Sequence, residues 1–188
     1  VRIFRALLQS DAIQISRCWF WLGRAQVATG DIEGARVSFA EAAAREPENP
    51  SFAHFHAAIA GQLPDTVERE YIASLFDGFA DTFEKTLVDE LAYGTPSRLT
   101  QLLTLHGADS ASTVLDLGCG TGLMGAALAR PGRVIDGVDL SPRMLQNARE
   151  KGIYRTLDAA EVLAFLQAAT AQWELIVAAD VFVYIASL

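Results

Sequence analysis

The chain is poor in the residues that build metal sites and disulfide frameworks, with two cysteines and three histidines among 188 residues. Cys18 and Cys119 stand in no C-x-x-C or comparable spacing, and His54, His56 and His106 form no ligand set. No metal is therefore expected, and a reduced, cytoplasmic setting fits best. Positive charge is scarce as well. The 15 Lys and Arg stand against 23 Asp and Glu, a formal net charge of -8. That is the wrong sign for a phosphate backbone, so no nucleic-acid partner is expected. No run approaches the ~20 apolar residues of a membrane span, and no charged-then-apolar leader opens the chain, which speaks against a membrane. Apolar residues are plentiful at 51%, enough core for one ordinary domain or two small ones.

The run Val114-Leu115-Asp116-Leu117-Gly118-Cys119-Gly120-Thr121-Gly122-Leu123 carries the most information. It predicts a buried strand that delivers a carboxylate and then a glycine loop to a helix start. A ligand can lie directly on such a loop, where free amide N–H groups and the positive helix end await it. The dinucleotide fingerprint G-x-G-x-x-G/A requires a small residue at position 123, and Leu123 stands there.

Downstream, Arg133 to Asp139 reads as a second strand ended by Asp139, 17 residues after Gly122. An acid at that place can accept hydrogen bonds from ribose hydroxyls. Ser141 and Pro142 follow as N-cap and first helical residue, with Met144 and Leu145 opening an apolar face. A third strand is predicted over Ile153 to Leu157, followed by a helix to about Ala171. Asp158 then either lies on the ligand edge of the sheet or merely caps that helix. The apolar run Glu174 to Asp180 predicts a central parallel strand covered on both faces. Asp180 is either a site residue or a solvated strand terminator. The expected fold class is α/β, with a doubly wound, mostly parallel sheet.

The wording D-L-G-C-G-T-G with its following acids resembles the S-adenosylmethionine (SAM) site of the class I, Rossmann-like methyltransferases. The resemblance implies that Asp116 anchors the amino acid end of SAM, Asp139 holds the ribose, Leu140 and Met144 flank the adenine, and Asp158 contacts the adenine amino group. It further assigns cofactor contact to Gly118, Cys119, Gly120, Gly122, Ala159 and Asp180. A complete domain of that family has seven strands, of which four are expected here. The chain begins at Val1 and ends at Leu188 and looks truncated at both ends, which implies a pairing-prone edge at Leu175 to Val177, poor solubility or self-association, and a fragment that can lack activity alone.

In the amino-terminal third, Trp19-x2-Leu22-Gly23, Gly30, Ala35-x3-Phe39, Ala42 and Pro47 resemble the tetratricopeptide signature, with Gln26 in place of the usual aromatic. One repeat is expected over residues 16–49, with the tail of an earlier repeat at 1–10 and a following helix at Ser51 to Ala60. The region serves either as a protein-binding or dimerising module or as a packing appendage. Gly61 to Asp65 reads as a linker, and Val67 to Ala92 as one or two helices with Phe76, Phe79 and Phe83 on one aromatic face. The run Leu75 to Phe83 resembles the helical lid of a predicted methyltransferase group bearing amino-terminal tetratricopeptide repeats. Another helix is expected from Thr95-Pro96, cap then proline, to Leu105. The domains are thus read as 1–62 repeat-like, 63–107 lid and linker, and 108–188 partial SAM-binding domain.

Together these features imply a SAM-dependent methyltransferase with an unidentified, preferably small-molecule acceptor. The competing readings are an NAD-linked oxidoreductase and a non-catalytic tetratricopeptide scaffold with a vestigial SAM domain. Methyl transfer from a sulfonium needs alignment and water exclusion more than acid–base groups. Tyr71, Asp180 and Tyr184 are the candidates for a base where the acceptor requires one.

Overall fold

In the computed structural model, which describes residues 1, 15–62 and 65–182 with the side chains of 65–67 excepted, the chain divides into two units, Val1–Ser74 and Leu75–Leu188. The division falls inside a helix.

Three helices form the first unit: α1 (Ile15–Ala28), α2 (Ile32–Arg45) and α3 (Pro50–Ile59). The start of α2 is set by Asp31, whose carboxylate accepts the Gly34 N–H at 3.0 Å, and that of α3 by Asn49 followed by Pro50. Phe20, Ala35, Phe39, Ala42 and Phe52 form the core, with Trp19 and Phe55 packed against it. A Cβ at Gly23 would lie 2.7 Å from the Phe39 ring, so only glycine lets α1 and α2 approach this closely. Gln26 works as a polar staple. It is 3% exposed, accepts the Ser38 hydroxyl at 2.6 Å and donates to Asp31 at 3.0 Å. Residues 2–10, where the tail of an earlier repeat was expected, lie outside the described residues.

Helix α4 (Asp65–Phe79) leads into the second unit, followed by a π-helical turn at Lys85–Glu90 and helix α5 (Thr95–Leu105). Gly94, and not Thr95, occupies the cap of α5, because the helix already includes Thr95 ahead of Pro96.

The second unit is built on strands β1 (Thr113–Leu117), β2 (Val134–Asp139), β3 (Tyr154–Ala159) and β4 (Leu175–Ala178), linked by α6 (Leu123–Leu128), α7 (Pro142–Glu150) and α8 (Val162–Ala168). The order is β3-β2-β1-β4, and every pair is parallel. Alternation along the strands feeds two cores. Val114, Ile135 and Val177 meet Met124 and Leu128 of α6 on one face, while Leu115, Leu117 and Val138 meet Val162 and Phe165 of α8 on the other. The order in which strands are laid across the sheet reverses between β1 and β4, and the crevice at their carboxyl ends is where ligands of such sheets bind.

The expected elements are present with shifted ends. The third strand runs on through Asp158 and Ala159, because Val138 and Asp139 of β2 continue the ladder to them. Asp158 is therefore extended and does not cap α8. Glu161 does, accepting the N–H groups of Leu163 and Ala164 at 2.9 and 2.8 Å. The helix stops at Ala168, short of Ala171. The fourth strand lies at the edge of the sheet among the described residues, with Ile176 50% exposed, so its apolar run is not covered on both faces and Leu175 to Val177 form the expected edge.

Candidate functional site

The glycine loop joins β1 to α6, and Gly118, Gly120 and Gly122 have φ values of 61, 54 and 89°. Side chains rarely tolerate that region. At Gly118 a Cβ would also lie 2.3 Å from the Val181 side chain, so the residue after Asp180 packs directly on the loop. A Cβ at Gly120 would meet only Phe83, at 3.9 Å.

Three of the loop amides are engaged within the protein. Cys119 N–H donates to the Val138 carbonyl at 3.0 Å and Gly122 N–H to the Cys119 carbonyl at 2.8 Å, while Gly120 N–H donates to the Asp139 carboxylate at 2.8 Å. These three bonds leave fewer loop donors for a phosphate. What the loop offers instead is carboxylate.

Asp116, at 0% exposure, accepts the Tyr154 hydroxyl at 2.7 Å on Oδ2, whereas its Oδ1 has no hydrogen-bond partner. Burial pushes its pKa up to about 7, against the Tyr154 hydroxyl and the dipole of the Gly125 N–H, and the Asp139 charge adds to the rise. Asp139 is held between the loop and α7, with Ser141 N–H on its Oδ1 at 2.8 Å. Burial raises its pKa, the N–H groups of Ser141, Gly120 and Leu140 oppose the rise, and the Asp77 charge reinforces it. Cys119 is 5% exposed. Burial and then the two carboxylates hold its thiol protonated well above the ordinary range, which removes it as a nucleophile.

Two tyrosines that the sequence reading did not single out belong to this edge. Tyr154 enters beneath the loop, where a Cβ at Gly125 would lie 2.2 Å from its hydroxyl and one at Gly122 3.0 Å from its ring. Its position at the start of β3 gave no signal, because the contact depends on register between strands distant in sequence. Tyr93 lies within electrostatic reach of Asp180 and Thr95. Burial first, and then Asp180, push its pKa up to about 12. Asp180 itself has a left-handed backbone, φ 59°.

Among the remaining expected residues, Leu140 is half-buried while Met144 is 1% exposed and packed in the interior. Asp158 and Ala159 are exposed at the end of β3. Tyr71 belongs to the first unit, where its ring stacks on His54 at 4.1 Å. Tyr184 lies outside the described residues. Asp136, also unforeseen, is a structural clamp. Burial would raise its pKa, but bonds from Arg155, Trp173 and Thr156 hold it below the usual carboxylate range, with Trp173 Nε1 at 2.8 Å. Among the described residues no His, Cys, Asp and Glu cluster could hold a metal ion, and no helix is long and apolar enough to cross a membrane.

Residues 114–187 match the protein family described as Methyltransferase domain. The magnesium protoporphyrin IX methyltransferase of Synechocystis, crystallised with SAM, superposes with a TM-score of 0.50 at 20% identity over 62% of this chain and 64% of that one. The fold is that of the class I SAM-dependent methyltransferases. Methyltransferase-like protein 27 of Homo sapiens is 35% identical over 98 residues, 50% of this chain and 38% of its own length. The trans-aconitate 2-methyltransferase of Mycobacterium tuberculosis (strain ATCC 25177 / H37Ra) is 45% identical over 58 residues, 30% of this chain and 22% of its own length. The chain thus spans less than two fifths of the length of either curated relative. In this methyltransferase fold the glycine loop, Asp116 and Asp139 lie at the carboxyl edge of the sheet, next to the strand-order reversal.

Proposed function

We propose that the chain binds SAM and transfers its methyl group to an acceptor not yet identified. The observation that carries this reading is the pair of carboxylates around the glycine loop, three of whose amides are already bonded within the protein. Asp116 keeps one buried oxygen without a donor, and Asp139 raises the pKa of Asp116 by its charge. Such a cleft suits a cation bearing hydroxyls and opposes a pyrophosphate, which counts against the NAD-linked alternative.

Bound SAM supplies an electrophilic methyl on a sulfonium. In this reading the chain's residues position it. Asp116 Oδ1 accepts from the ammonium end, Asp139 accepts from ribose hydroxyls, Leu140 borders the adenine with Asp158 and Ala159 near its far edge, and Phe83 excludes water above Gly120. The Tyr93–Asp180 pair at the end of β4 stands where an acceptor proton would be received. A small-molecule acceptor is favoured, because the names of the Synechocystis and M. tuberculosis proteins specify small-molecule substrates. The helical hairpin of α1 and α2 with its W-x2-L-G pattern supports reading residues 1–62 as a tetratricopeptide-like region for protein contact or self-association, ahead of a lid and linker at 63–107. Two free cysteines fit a cytoplasmic setting.

Titration calorimetry with SAM and NAD side by side tests this proposal. SAM should bind and NAD should not, and Asp139→Ala should weaken SAM by about 1–3 kcal/mol by leaving donors unpaired. Unchanged affinity in that variant, or NAD binding in its place, refutes the assignment. A screen of acceptors with methyl-labelled SAM then identifies the substrate.

A further inference from the structure

The segment that crosses from α4 towards the π-helical turn is bonded to one side of α7 at every third or fourth residue. Asp77 Oδ1 accepts both the Ser141 hydroxyl, at 2.5 Å, and the Arg143 N–H, at 3.1 Å. The Ala80 carbonyl accepts from Asn147 at 2.9 Å. Asp81 pairs with Arg143 at 2.6 Å, and Glu84 with Lys151 at 2.7 Å. Residues 77, 80, 81 and 84 thus meet residues 141, 143, 147 and 151, from the N-cap of α7 to its C-cap.

These bonds are not equal. The Asp81–Arg143 pair is exposed on both sides, at 54% and 73%, where water and salt screen it. Asp77 is half-buried, and its partner Ser141 is 0% exposed. Ser141 has two further roles. Its hydroxyl oxygen caps α7 by accepting the Met144 N–H at 3.1 Å, and its own N–H holds Asp139 Oδ1 at 2.8 Å. The other oxygen of Asp139 is held by Gly120. A continuous chain of hydrogen bonds therefore runs Asp77, Ser141, Asp139, Gly120, from the helix ahead of the sheet to the glycine loop. The same segment sets Phe83 over Gly120.

We infer that Asp77 is a positioning residue for the nucleoside half of the ligand: by fixing the Ser141 hydroxyl and the first turn of α7, it aims the Asp139 carboxylate. The segment carrying Asp77 is on this view a wall of the nucleoside site. An Asp77 carboxylate turned away would leave the Ser141 hydroxyl and the Arg143 N–H seeking water, and the first turn of α7 would loosen with Asp139 attached to it.

This inference rests on the nucleoside reading of the site, and the test separates the two. Calorimetry with S-adenosylhomocysteine and with adenosine is run on the wild type, Asp77→Ala, Asp77→Asn, Asp81→Asn, Ser141→Ala and the Asp77→Ala/Ser141→Ala double variant. The expected result is a loss of about tenfold in affinity for both ligands in Asp77→Ala, from a bond to a charged acceptor that is no longer made. Asp77→Asn retains an acceptor oxygen and should recover most of the loss, and Asp81→Asn should bind like the wild type. The double variant should bind no more weakly than Ser141→Ala, because the effect passes through that hydroxyl. A merely structural role would lower the melting temperature without this ligand-specific, Ser141-dependent pattern. Wild-type affinity in Asp77→Ala, or losses that add in the double variant, overturns the inference while leaving the SAM reading in place. A wild type that binds neither ligand overturns both.

Discussion

Replacing Asp116 by Asn should reverse part of the protein's pH dependence. In the unfolded chain this carboxyl titrates at its ordinary value of 3.8, and in the folded chain burial moves it up to about 7. Between those values the native state holds a proton that the unfolded state has released. Stability contributed by Asp116 is therefore present at low pH and lost as pH rises, by about 1.4 kcal/mol per pH unit and about 4 kcal/mol over the whole interval. Above pH 7 the group is ionised in both states, and the slope from this residue vanishes. Asn keeps an acceptor for the Tyr154 hydroxyl and carries no charge at any pH. Urea unfolding read by hydrogen exchange of the β1 amides reports on the second unit alone. The stability of Asp116→Asn minus that of the wild type should grow by about 2–3 kcal/mol from pH 5 to 7 and then level off. Asp136 and Glu46, both held below the ordinary range by their donors, contribute with the opposite sign at lower pH, and they cancel in the difference. Parallel curves for the two proteins from pH 5 to 8 would refute the claim that burial of Asp116 outweighs the bond it accepts from Tyr154.

Two further substitutions test the packing around the site and in the first unit. Gly125→Ala places a Cβ 2.2 Å from the Tyr154 hydroxyl. It should break the bond to Asp116 and destabilise the second unit by about 1–3 kcal/mol, and a urea midpoint equal to the wild type's would contradict the packing. Gln26→Ala leaves the buried Ser38 hydroxyl without its acceptor and should lower the stability of the helical unit by about 1–3 kcal/mol. Thermal unfolding followed by circular dichroism measures it, and an unshifted transition would show that the polar staple contributes nothing.

Much of this molecule is legible from the chain alone. Short, largely apolar runs that carry Asp116 and Asp139 at or next to their ends mark strands, because a strand covered on both faces is mostly apolar, and glycines in a left-handed backbone mark the loop. Ser141-Pro142 marks the start of α7, since both residues act through local backbone geometry. Element ends were less legible. β3 extends to Ala159 because β2 offers it partners, and α8 is capped by Glu161 because Asp158 is committed to that ladder. Gln26, which breaks the aromatic pattern of the first hairpin, became intelligible once Ser38 and Asp31 were seen to converge on it.

The sequence by itself determined the order of strands and helices, the glycine loop and the two acids carried near the carboxyl ends of β1 and β2, because these follow from periodicity and backbone freedom within a few residues. Only the tertiary structure decided what those acids can do. Tyr154 reaches Asp116 across 38 residues, Asp139 takes the Gly120 N–H across 19, and Asp77 meets Ser141 across 64. Desolvation and hydrogen bonding between such distant partners arise from the packing of strands and helices, and no local pattern of residues encodes them.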